Sequence, residues 1–237
     1  MKDILITGGS KGIGLEFTRQ YLHNGCRVYA ASRKPDDSKA LRQLQAQYDD
    51  QLVVYQLDVT DERSRGDIFQ ALAAETEKLD VLINNAGVIS GNEQFNYPFG
   101  ELQQEDLCRT LLVNSVAPLM IAEGVFPLLE KGLKPIVVNI TSDNGSITMR
   151  NSGGKYGYCT SKVALNMITR ILSFDLREHG ILVLSLHPGW VQTPMTRNEE
   201  APLTPTESIE GMLQVIESLE MKDTGRFLDW KGNEIPW

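Results

Sequence analysis

Six short apolar runs recur along the chain, and each is nearly continuous in Val, Ile and Leu instead of alternating with polar residues. This pattern is typical of parallel strands that are buried on both faces of a sheet. We therefore predict six strands from the pattern alone. They span residues 3–7, 27–32, 52–59, 81–86, 135–142 and 182–188.

Longer segments with the spacing of helices separate these runs. The alternation predicts an α/β fold, a doubly wound parallel sheet with helices on both faces, formed by residues 1–237 as one domain. The least regular stretch, 190–206, holds three prolines and has no clear period. The clearest helical segments are GLEFTRQYLHNG, SKALRQLQAQY, RSRGDIFQALAAETEK and residues 101–131.

Composition narrows the class of protein. With 237 residues, 41% hydrophobic and 23% charged, the chain has the make-up of a soluble globular protein. A net charge of −8 and a pI near 5.0 argue against nucleic acid or an anionic membrane surface as its main partner. The apolar runs fall short of a membrane span, and the first strand leaves no room for a signal peptide. We therefore expect a cytoplasmic protein with three free cysteines and no metal site.

A glycine cluster directly follows the first predicted strand and opens a helix, in the stretch ILITGGSKGIGLEF. Glycine permits a tight turn and lets the backbone approach a pyrophosphate, whose charge is favoured at a helix N-terminus. The alternative is a tight strand-to-helix turn without a ligand. The position after the first strand of a βα series favours dinucleotide binding. The predicted contacts are Gly8, Ser10, Lys11, Gly12, Ile13 and Gly14.

The end of the second strand bears on the choice between NAD and NADP. An acidic residue there takes the ribose hydroxyls of NAD, whereas a basic residue accommodates the phosphate of NADP. Here Arg33 follows the strand and Lys11 offers a second cation, so the sequence favours NADP over NAD. The alternative is that both are solvated surface charges. Asp58 could accept from the adenine amino group or cap the next helix, and both interpretations stay open. Asp58 and Val59 are counted among the predicted cofactor contacts.

Tyr158 and Lys162 lie four residues apart in YGYCTSK, on one face of a predicted helix. A tyrosine with a pKa near 10 is a poor acid or base at neutral pH. A nearby ammonium group favours the phenolate and lowers that pKa, so the hydroxyl can exchange a proton with a substrate oxygen. On spacing alone, an ordinary contact on a helix surface is the simpler explanation.

Six motifs occur in the order seen in short-chain dehydrogenases/reductases, and the chain resembles this family over essentially its whole length. They are TGGSKGIG, NNAG, Asn114 in LLVNSVAP, Ser142 in NITSDNGS, YCTSK and HPGWVQT. The stretches YGYCTSKVALNM, HPGWVQTPM and GRFLDWKGNEIPW are similar to the C-factor/sniffer-type carbonyl reductase branch. The resemblance implies a Rossmann-type sheet of about seven strands. It also implies hydride transfer between a nicotinamide and a carbonyl or alcohol carbon.

The resemblance assigns a role to each matching residue. Tyr158 matches the general acid/base, and Lys162 matches the residue that lowers its pKa and hydrogen-bonds the nicotinamide ribose. Ser142 matches the hydroxyl that holds the substrate oxygen. Asn114 matches the helix residue that holds a water between Lys162 and solvent. Pro118 has no amide hydrogen, so we expect it to leave the Asn114 carbonyl free for that water, the alternative being a plain packing kink.

Two further segments match cofactor contacts of the family. The first segment, Asn85, Ala86 and Gly87, matches the stretch that supports the sheet and passes near the adenine ribose in the family. The loop after the sixth strand matches the wall of the nicotinamide pocket, with the Thr193 hydroxyl near the carboxamide. Residues 190–208 match a modest lid over the substrate. The residues predicted to contact the cofactor in that loop are Pro188, Gly189, Val191 and Thr193.

One stretch departs from the family pattern. The spacing between Ser142 and Tyr158 is longer than usual, so we expect an enlarged loop at 147–157. This loop would rim the substrate side and carry Arg150 and Lys155. It leaves the chemistry unchanged and bears on the substrate pocket.

The leading interpretation is an NADP-dependent oxidoreductase that acts on a small-molecule carbonyl substrate, with Tyr158 as general acid/base. The alternative is a nucleotide-sensing or signalling protein that keeps the fold and turns over little. His187, which precedes a proline at a strand end, is interpreted as structural and not catalytic. Many relatives pair two long helices across a two-fold axis, and the sequence does not choose among monomer, homodimer and homotetramer.

Overall fold

Strands and helices alternate along the chain in the computed structural model, which describes residues 1–89, 97, 99–196 and 200–237. The strands are β1 (Asp3–Thr7), β2 (Arg27–Ser32), β3 (Leu52–Gln56), β4 (Val81–Asn84), β5 (Ile136–Ile140), β6 (Leu182–His187) and β7 (Phe227–Asp229). The helices are α1 (Gly12–His23), α2 (Lys39–Gln47), α3 (Glu62–Glu75), α4 (Gln104–Leu111), α5 (Ala117–Leu129), α6 (Tyr156–Asp175) and α7 (Pro205–Ser218).

The seven strands form one parallel sheet in the order β3-β2-β1-β4-β5-β6-β7. The winding direction reverses between β1 and β4, and open α/β sheets bind ligands in the crevice outside the carboxyl ends of such strands. This architecture confirms the predicted Rossmann-type fold. Most of the predicted site residues follow the carboxyl ends of the strands or lie in the first turns of the helices behind them, whereas Asn114 lies within a helix.

Each face of the sheet packs against its own layer of helices. Ile4 and Ile6 of β1 belong to a core formed with α1, α2 and α7, whereas Leu5 belongs to a second core formed with α3 and α5. Alternate residues of a strand point to opposite faces, so both sets must be apolar when both faces are covered. That is why the strands appear in the sequence as unbroken apolar runs.

Three predicted strands end two or three residues earlier in the structure than their apolar runs do, and the run 182–188 ends one residue earlier, at His187. The runs 52–59, 81–86 and 135–142 leave the sheet after Gln56, Asn84 and Ile140. Their last residues form the loops at the carboxyl edge, where site residues are needed. The seventh strand, β7, was missing from the pattern because it has only 3 residues.

The segment predicted as one helix over 101–131 is continuous from Gln104 to Leu129, with a π-helical stretch at Leu112–Val116 between α4 and α5. This helix is long and apolar enough to cross a membrane, with a mean hydropathy of 1.6 over its best window. The sequence expectation missed it because Asn114 and Glu123 interrupt the apolar run. Half of that window is buried, and residues such as Ile121 lie in the second core, as in the core helix of a soluble domain.

Candidate active site

The end of β5 and the first turns of α6 bring three predicted catalytic side chains together. Ser142 caps the short 3-10 turn that follows β5, where its Oγ accepts a hydrogen bond from the Asn144 amide at 3.2 Å. The Tyr158 hydroxyl lies close enough to Ser142 for Ser142 to influence its pKa. Lys162 lies one turn further along α6, with its Nζ 5.8 Å from the centre of the Tyr158 ring. A carbonyl oxygen that reaches both hydroxyls would therefore sit between β5 and α6.

The pKa of Tyr158 shifts in the direction opposite to the sequence expectation. Burial raises this pKa to about 12, the nearby Ser142 hydroxyl opposes the rise, and the charge of Asp143 adds to it. Tyr158 thus carries its proton at neutral pH. A group in that state is a proton donor, not a base.

Lys162 is almost completely buried, with 6% of its surface exposed. Its ammonium group donates to the Ile140 carbonyl at 2.8 Å. Burial lowers the pKa of Lys162 to about 8, because an apolar environment disfavours the charged form. Lys162 is not among the groups that lower the Tyr158 pKa in this structure.

Asn114 lies in the π-helical stretch and joins two parts of the site. Its side-chain oxygen accepts from the Val88 amide at 2.8 Å, and its nitrogen donates to the Val88 carbonyl at 2.8 Å and to Ser161 Oγ at 3.0 Å. The Ala117 amide donates to the Leu112 carbonyl, five residues back, which is the π-helical register. A proline directly after such a residue continues this break in the α-helical ladder.

A buried chain of polar side chains fixes α6 relative to Ser142. Asn166 of α6 donates to the carbonyl of Gly145, in the turn that Ser142 caps, at 3.0 Å. Its side-chain oxygen accepts from Ser185 of β6 at 3.0 Å. Buried polar groups that are fully hydrogen-bonded make a single arrangement of the surrounding elements favourable. The distance between Ser142 and Tyr158 is therefore set by contacts beneath the site.

The glycine turn, residues 8–14, joins β1 to α1 as predicted. Gly8 and Gly12 have φ of 71° and 54°, in the left-handed region that favours glycine. A Cβ on Gly14 would overlap the Gly8 carbonyl oxygen and the Asn85 side chain. Asn85 Nδ2 donates to the carbonyls of Thr7 and Gly8 at 2.9 and 3.2 Å, so Asn85 braces the turn. The backbone of the turn thus forms a concave surface that a side chain would fill, and this surface fits a dinucleotide pyrophosphate.

The residues predicted to select NADP surround the end of β2. Arg33 and Lys11 are both exposed, and Arg33 is close enough to Asp58 to lower its pKa, together with the stronger hydrogen bond from Thr60. Ser32, 6% exposed, has a buried hydroxyl without a hydrogen-bond partner among the described residues. A buried polar atom of this kind fits a site that is completed by a polar ligand.

The structure corrects one interpretation of Asp58. Its Oδ1 accepts from the amide and the hydroxyl of Thr60 at 2.9 and 2.7 Å. Helix α3 is capped by Asp61, which accepts from the Ser64 amide at 2.6 Å. The helix-cap interpretation of Asp58 is therefore wrong, because α3 begins at Glu62, four residues later, and Asp61 caps it. The predicted adenine contact stays a prediction.

The loop after β6 closes over the glycine turn. A Cβ on Gly12 would meet the Cβ of Thr193 at 3.5 Å, so the predicted nicotinamide wall lies against the predicted pyrophosphate cradle. Val191 pairs with Leu203 in an isolated β-bridge, and the Pro188 carbonyl accepts from Ser208 at 2.6 Å. The predicted lid, 190–208, overlaps the first turn of α7, and its residues 197–199 lie outside the described residues.

The loop predicted at 147–157 ends earlier, since α6 begins at Tyr156, and we call residues 147–155 the rim loop. Arg150 Nη2 donates to the carbonyls of Gly153 and Gly154 at 2.7 and 3.1 Å, which folds the loop on itself. Thr148 donates to the Trp237 carbonyl from its amide at 3.0 Å and from its hydroxyl at 2.7 Å. The rim loop is thus held by the carboxy-terminal segment.

Sequence reasoning missed one charged side chain at the site. Asp143 directly follows Ser142, and its Oδ1 accepts from Ser142 Oγ at 2.8 Å. His187, at the end of β6, is near enough for each group to shift the pKa of the other. A carboxylate directly after a strand-end serine was the available signal.

Comparisons with known proteins agree with this geometry. The family model described as short chain dehydrogenase matches residues 2–203. The C-signal protein of Myxococcus xanthus is 43% identical over 162 residues, which are 68% of this chain and 95% of that protein. The carbonyl reductase Sniffer of D. melanogaster superposes with a TM-score of 0.94 at 31% identity, covering 100% of both chains. An NADPH-bound carbonyl reductase from chicken fatty liver gives 0.90 at 34% identity, covering 100% of this chain and 99% of that one.

The match to the family model covers most of the chain, and the similarity to Sniffer covers all of it. The sheet order and the positions of the glycine turn, Ser142 and Tyr158 agree with the resemblance seen in the sequence. This chain is therefore a member of the short-chain dehydrogenase/reductase family, in its C-factor/sniffer-type carbonyl reductase branch.

Proposed function

We propose that the protein is an NADP-dependent carbonyl reductase that acts on a small-molecule substrate. The observation that carries this proposal is the assembly of Ser142, Tyr158 and Lys162 between β5 and α6, beside the glycine turn. Membership of an oxidoreductase family and the carbonyl reductases among the structural neighbours support it.

In this proposal, the hydroxyls of Ser142 and Tyr158 hold the carbonyl oxygen of the substrate. When bound, the reduced nicotinamide supplies the hydride that the carbonyl carbon accepts. Tyr158 gives its proton to the oxygen as negative charge develops there, and a pKa of about 12 keeps that proton in place until it is needed. A hydrogen-bond donor placed where the negative charge develops contributes on the order of 3 kcal/mol to lowering the barrier in comparable sites.

Lys162 and Asn114 would replace the proton that Tyr158 gives away. Lys162 lies behind Tyr158 on the same face of α6, and Asn114 joins α6 through Ser161. We propose that a water held by the Asn114 carbonyl connects Lys162 to solvent, with Pro118 keeping that carbonyl free.

The cofactor would be held by residues of the glycine turn and of the strand ends. The backbone of the turn and the N-terminus of α1 suit the pyrophosphate, while Arg33 and Lys11 suit the phosphate that distinguishes NADP from NAD. The NADPH in the chicken carbonyl reductase structure supports the same choice. The contacts predicted from Val59, Asn85, Ala86, Gly87, Pro188, Gly189, Val191 and Thr193 belong to this proposal.

We also propose that the protein is cytoplasmic and that residues 190–208 cover the substrate. We further propose that the helix Gln104–Leu129 and α6 pair with the same helices of a second copy. Exposed apolar side chains on α6 and the π-helical stretch support such pairing. They are Met167 at 60%, Ile171 at 51%, Phe174 at 57%, Leu112 at 40% and Val116 at 43% exposure. Their burial between two copies would be favourable.

A second candidate function is a nucleotide-sensing or signalling protein with little turnover. The similarity to the C-signal protein of Myxococcus xanthus favours this alternative. The catalytic side chains are all present and assembled, which favours the enzyme. Both candidates bind a nucleotide, so turnover distinguishes them.

The test is consumption of NADPH and of NADH with a panel of aldehydes, ketones and quinones. Tyr158→Phe removes the proton donor, and we expect a loss of turnover of about a thousandfold with NADPH binding retained. The matched control is Tyr156→Phe, the same change at an exposed residue two positions earlier on α6. Turnover that survives in Tyr158→Phe would contradict the role of Tyr158 as proton donor, and NADPH binding without turnover of any compound by the wild-type protein would favour the sensor. A preference for NADH would contradict the roles of Arg33 and Lys11.

A further inference from the structure

An exposed carboxylate lies next to the hydroxyl that would hold the substrate. Asp143 Oδ1 accepts from Ser142 Oγ at 2.8 Å, from the Asn144 amide at 2.8 Å and from Asn144 Nδ2 at 3.0 Å. A carbonyl oxygen bound to Ser142 Oγ would lie about 5 Å from that carboxylate, given ordinary hydrogen-bond lengths. The substrate atoms next to the reacting carbon would be within its reach.

The cationic groups near Asp143 do not cancel its charge at neutral pH. Burial lowers the pKa of His187 although Asp143 and Asp229 oppose the shift, so His187 is neutral. Lys162 is buried and bound to the Ile140 carbonyl. Arg150 is bound to carbonyls of the rim loop and, at 3.4 Å, to Asn144 Oδ1. Among the residues that the structure describes, Asp143 forms no ion pair.

Asp143 itself is ionised at neutral pH. Burial favours its protonated form, but the charge of His187 and the hydrogen bonds from Ser142 and Asn144 outweigh that effect and lower its pKa. At the low pH at which Asp143 titrates, His187 is protonated, and its positive charge stabilises the ionised form of Asp143. The groups that face Asp143 from β6 and α6 are His187, Tyr158 and Cys159, and the last two have raised pKa values and are neutral.

We propose that Asp143 determines the charge preference of the substrate site. The site takes carbonyl compounds that carry a cation or a hydrogen-bond donor near the reacting carbon, accepts neutral ones less well, and rejects carboxylates such as 2-oxo acids. The proposal rests on the carbonyl reductase activity proposed above.

The single hydrogen of the Ser142 hydroxyl explains why a hydrogen-bond donor on the substrate favours its binding. The Ser142 hydroxyl has one hydrogen, which it gives to Asp143 in this structure. A substrate ammonium or N–H group that donates to Asp143 takes over this bond, and Ser142 can then donate to the carbonyl oxygen. A substrate carboxylate cannot replace Ser142 in this way, and it is repelled.

The experiment uses three benzaldehydes with meta substituents of similar size, namely dimethylammoniomethyl, which carries an N–H donor, isobutyl and carboxymethyl. With saturating NADPH, we expect kcat/KM to fall in that order, with about a tenfold or larger ratio between the cation and the anion. Asp143→Asn should bring this ratio close to one. The control Asp50→Asn makes the same charge change at the opposite edge of the sheet, before β3, and should leave the ratio unchanged.

Wild-type protein alone gives an independent test if Asp143→Asn fails to fold. Added salt screens charges, so the cation-to-anion ratio should shrink as ionic strength rises. A wild-type preference for the carboxylate would overturn the proposal. Equal kcat/KM for all three aldehydes would overturn the proposal alone, whereas no turnover of any aldehyde with NADPH would overturn the proposed function and this inference together.

Discussion

The glycine turn and the rim loop both follow strands at the carboxyl edge of the sheet but are built differently. The glycine turn is held by backbone contacts that leave no space, since a Cβ on Gly8 would lie 2.9 Å from Asn85 Nδ2 and 3.0 Å from the Ala86 Cα. The rim loop is held at a few points and exposes large apolar side chains, Ile147 at 69% and Met149 at 50%.

This difference separates the region proposed to bind the cofactor from the region proposed to influence substrate choice. Substitutions in the glycine turn meet backbone that cannot move, so that region tolerates little change. Substitutions in the rim loop meet solvent or a single hydrogen bond, so that region can vary at small cost. We expect the three changes that follow to test this contrast.

The largest effect is expected in the glycine turn. Gly14→Ala places a methyl group against the Gly8 carbonyl oxygen, so the turn must open or α1 must shift. We expect a loss of about 3 kcal/mol in the free energy of unfolding and at least a tenfold weaker binding of NADPH. Denaturant unfolding and fluorescence titration measure the two quantities. Gly66→Ala in α3 is the control, since nothing lies within 4 Å of its Cβ, and it should be neutral or stabilising.

In contrast to Gly14→Ala, a substitution of the buried Lys162 is expected to increase the free energy of unfolding. Its pKa is lowered from 10.5 to about 8, so the folded state binds the proton less tightly than the unfolded state does. Burial of the charge therefore destabilises the protein below pH 8. Lys162→Met should raise the free energy of unfolding by about 2 kcal/mol at pH 7 while abolishing turnover.

The sign of this effect can be checked with pH. Between pH 8 and 10.5 the folded wild-type protein has lost the Lys162 proton while the unfolded chain still holds it, so wild-type stability rises. The advantage of Lys162→Met should shrink over this range. An advantage that stayed constant, or one also seen in the exposed control Lys39→Met, would show that the burial of charge is not its cause.

The smallest effect is expected at the rim loop. Thr148→Val removes the hydroxyl that donates to the Trp237 carbonyl but keeps the amide that also donates to it. We expect a stability loss of about 0.5–1 kcal/mol, and a KM for the carbonyl substrate raised about twofold with kcat unchanged. Thr160→Val, at an exposed position on α6, controls for the change of side chain. A fall in kcat with constant KM would show that the rim loop takes part in chemistry.

Most of the fold could be predicted because its physical cause is local. Strands covered on both faces must be apolar throughout, so β1, β2, β4, β5 and β6 are visible as runs. The strand β7 escaped this rule, because three residues between a turn and the carboxy-terminal segment are too few to form a pattern.

In the candidate site, too, features set within one element could be predicted, whereas features set by contacts between elements could not. Tyr158 and Lys162 share a helix, so their spacing predicted a common face, and the structure confirms that they lie on one face. The direction of the Tyr158 pKa could not be predicted, because it depends on burial and on Asp143, which comes from another element. Asp58 and Asp61 show the same limit, since both precede α3 and only hydrogen-bond geometry identifies the cap.

The bond between Thr148 and Trp237 has a practical consequence for handling the protein. A tag or fusion partner joined after Trp237 would emerge beside the rim loop and could change the apparent substrate range without touching a catalytic residue. The first residues of the chain lie at the amino end of β1, at the edge of the sheet opposite the site. Screening for a substrate is therefore best done with tags attached at that end.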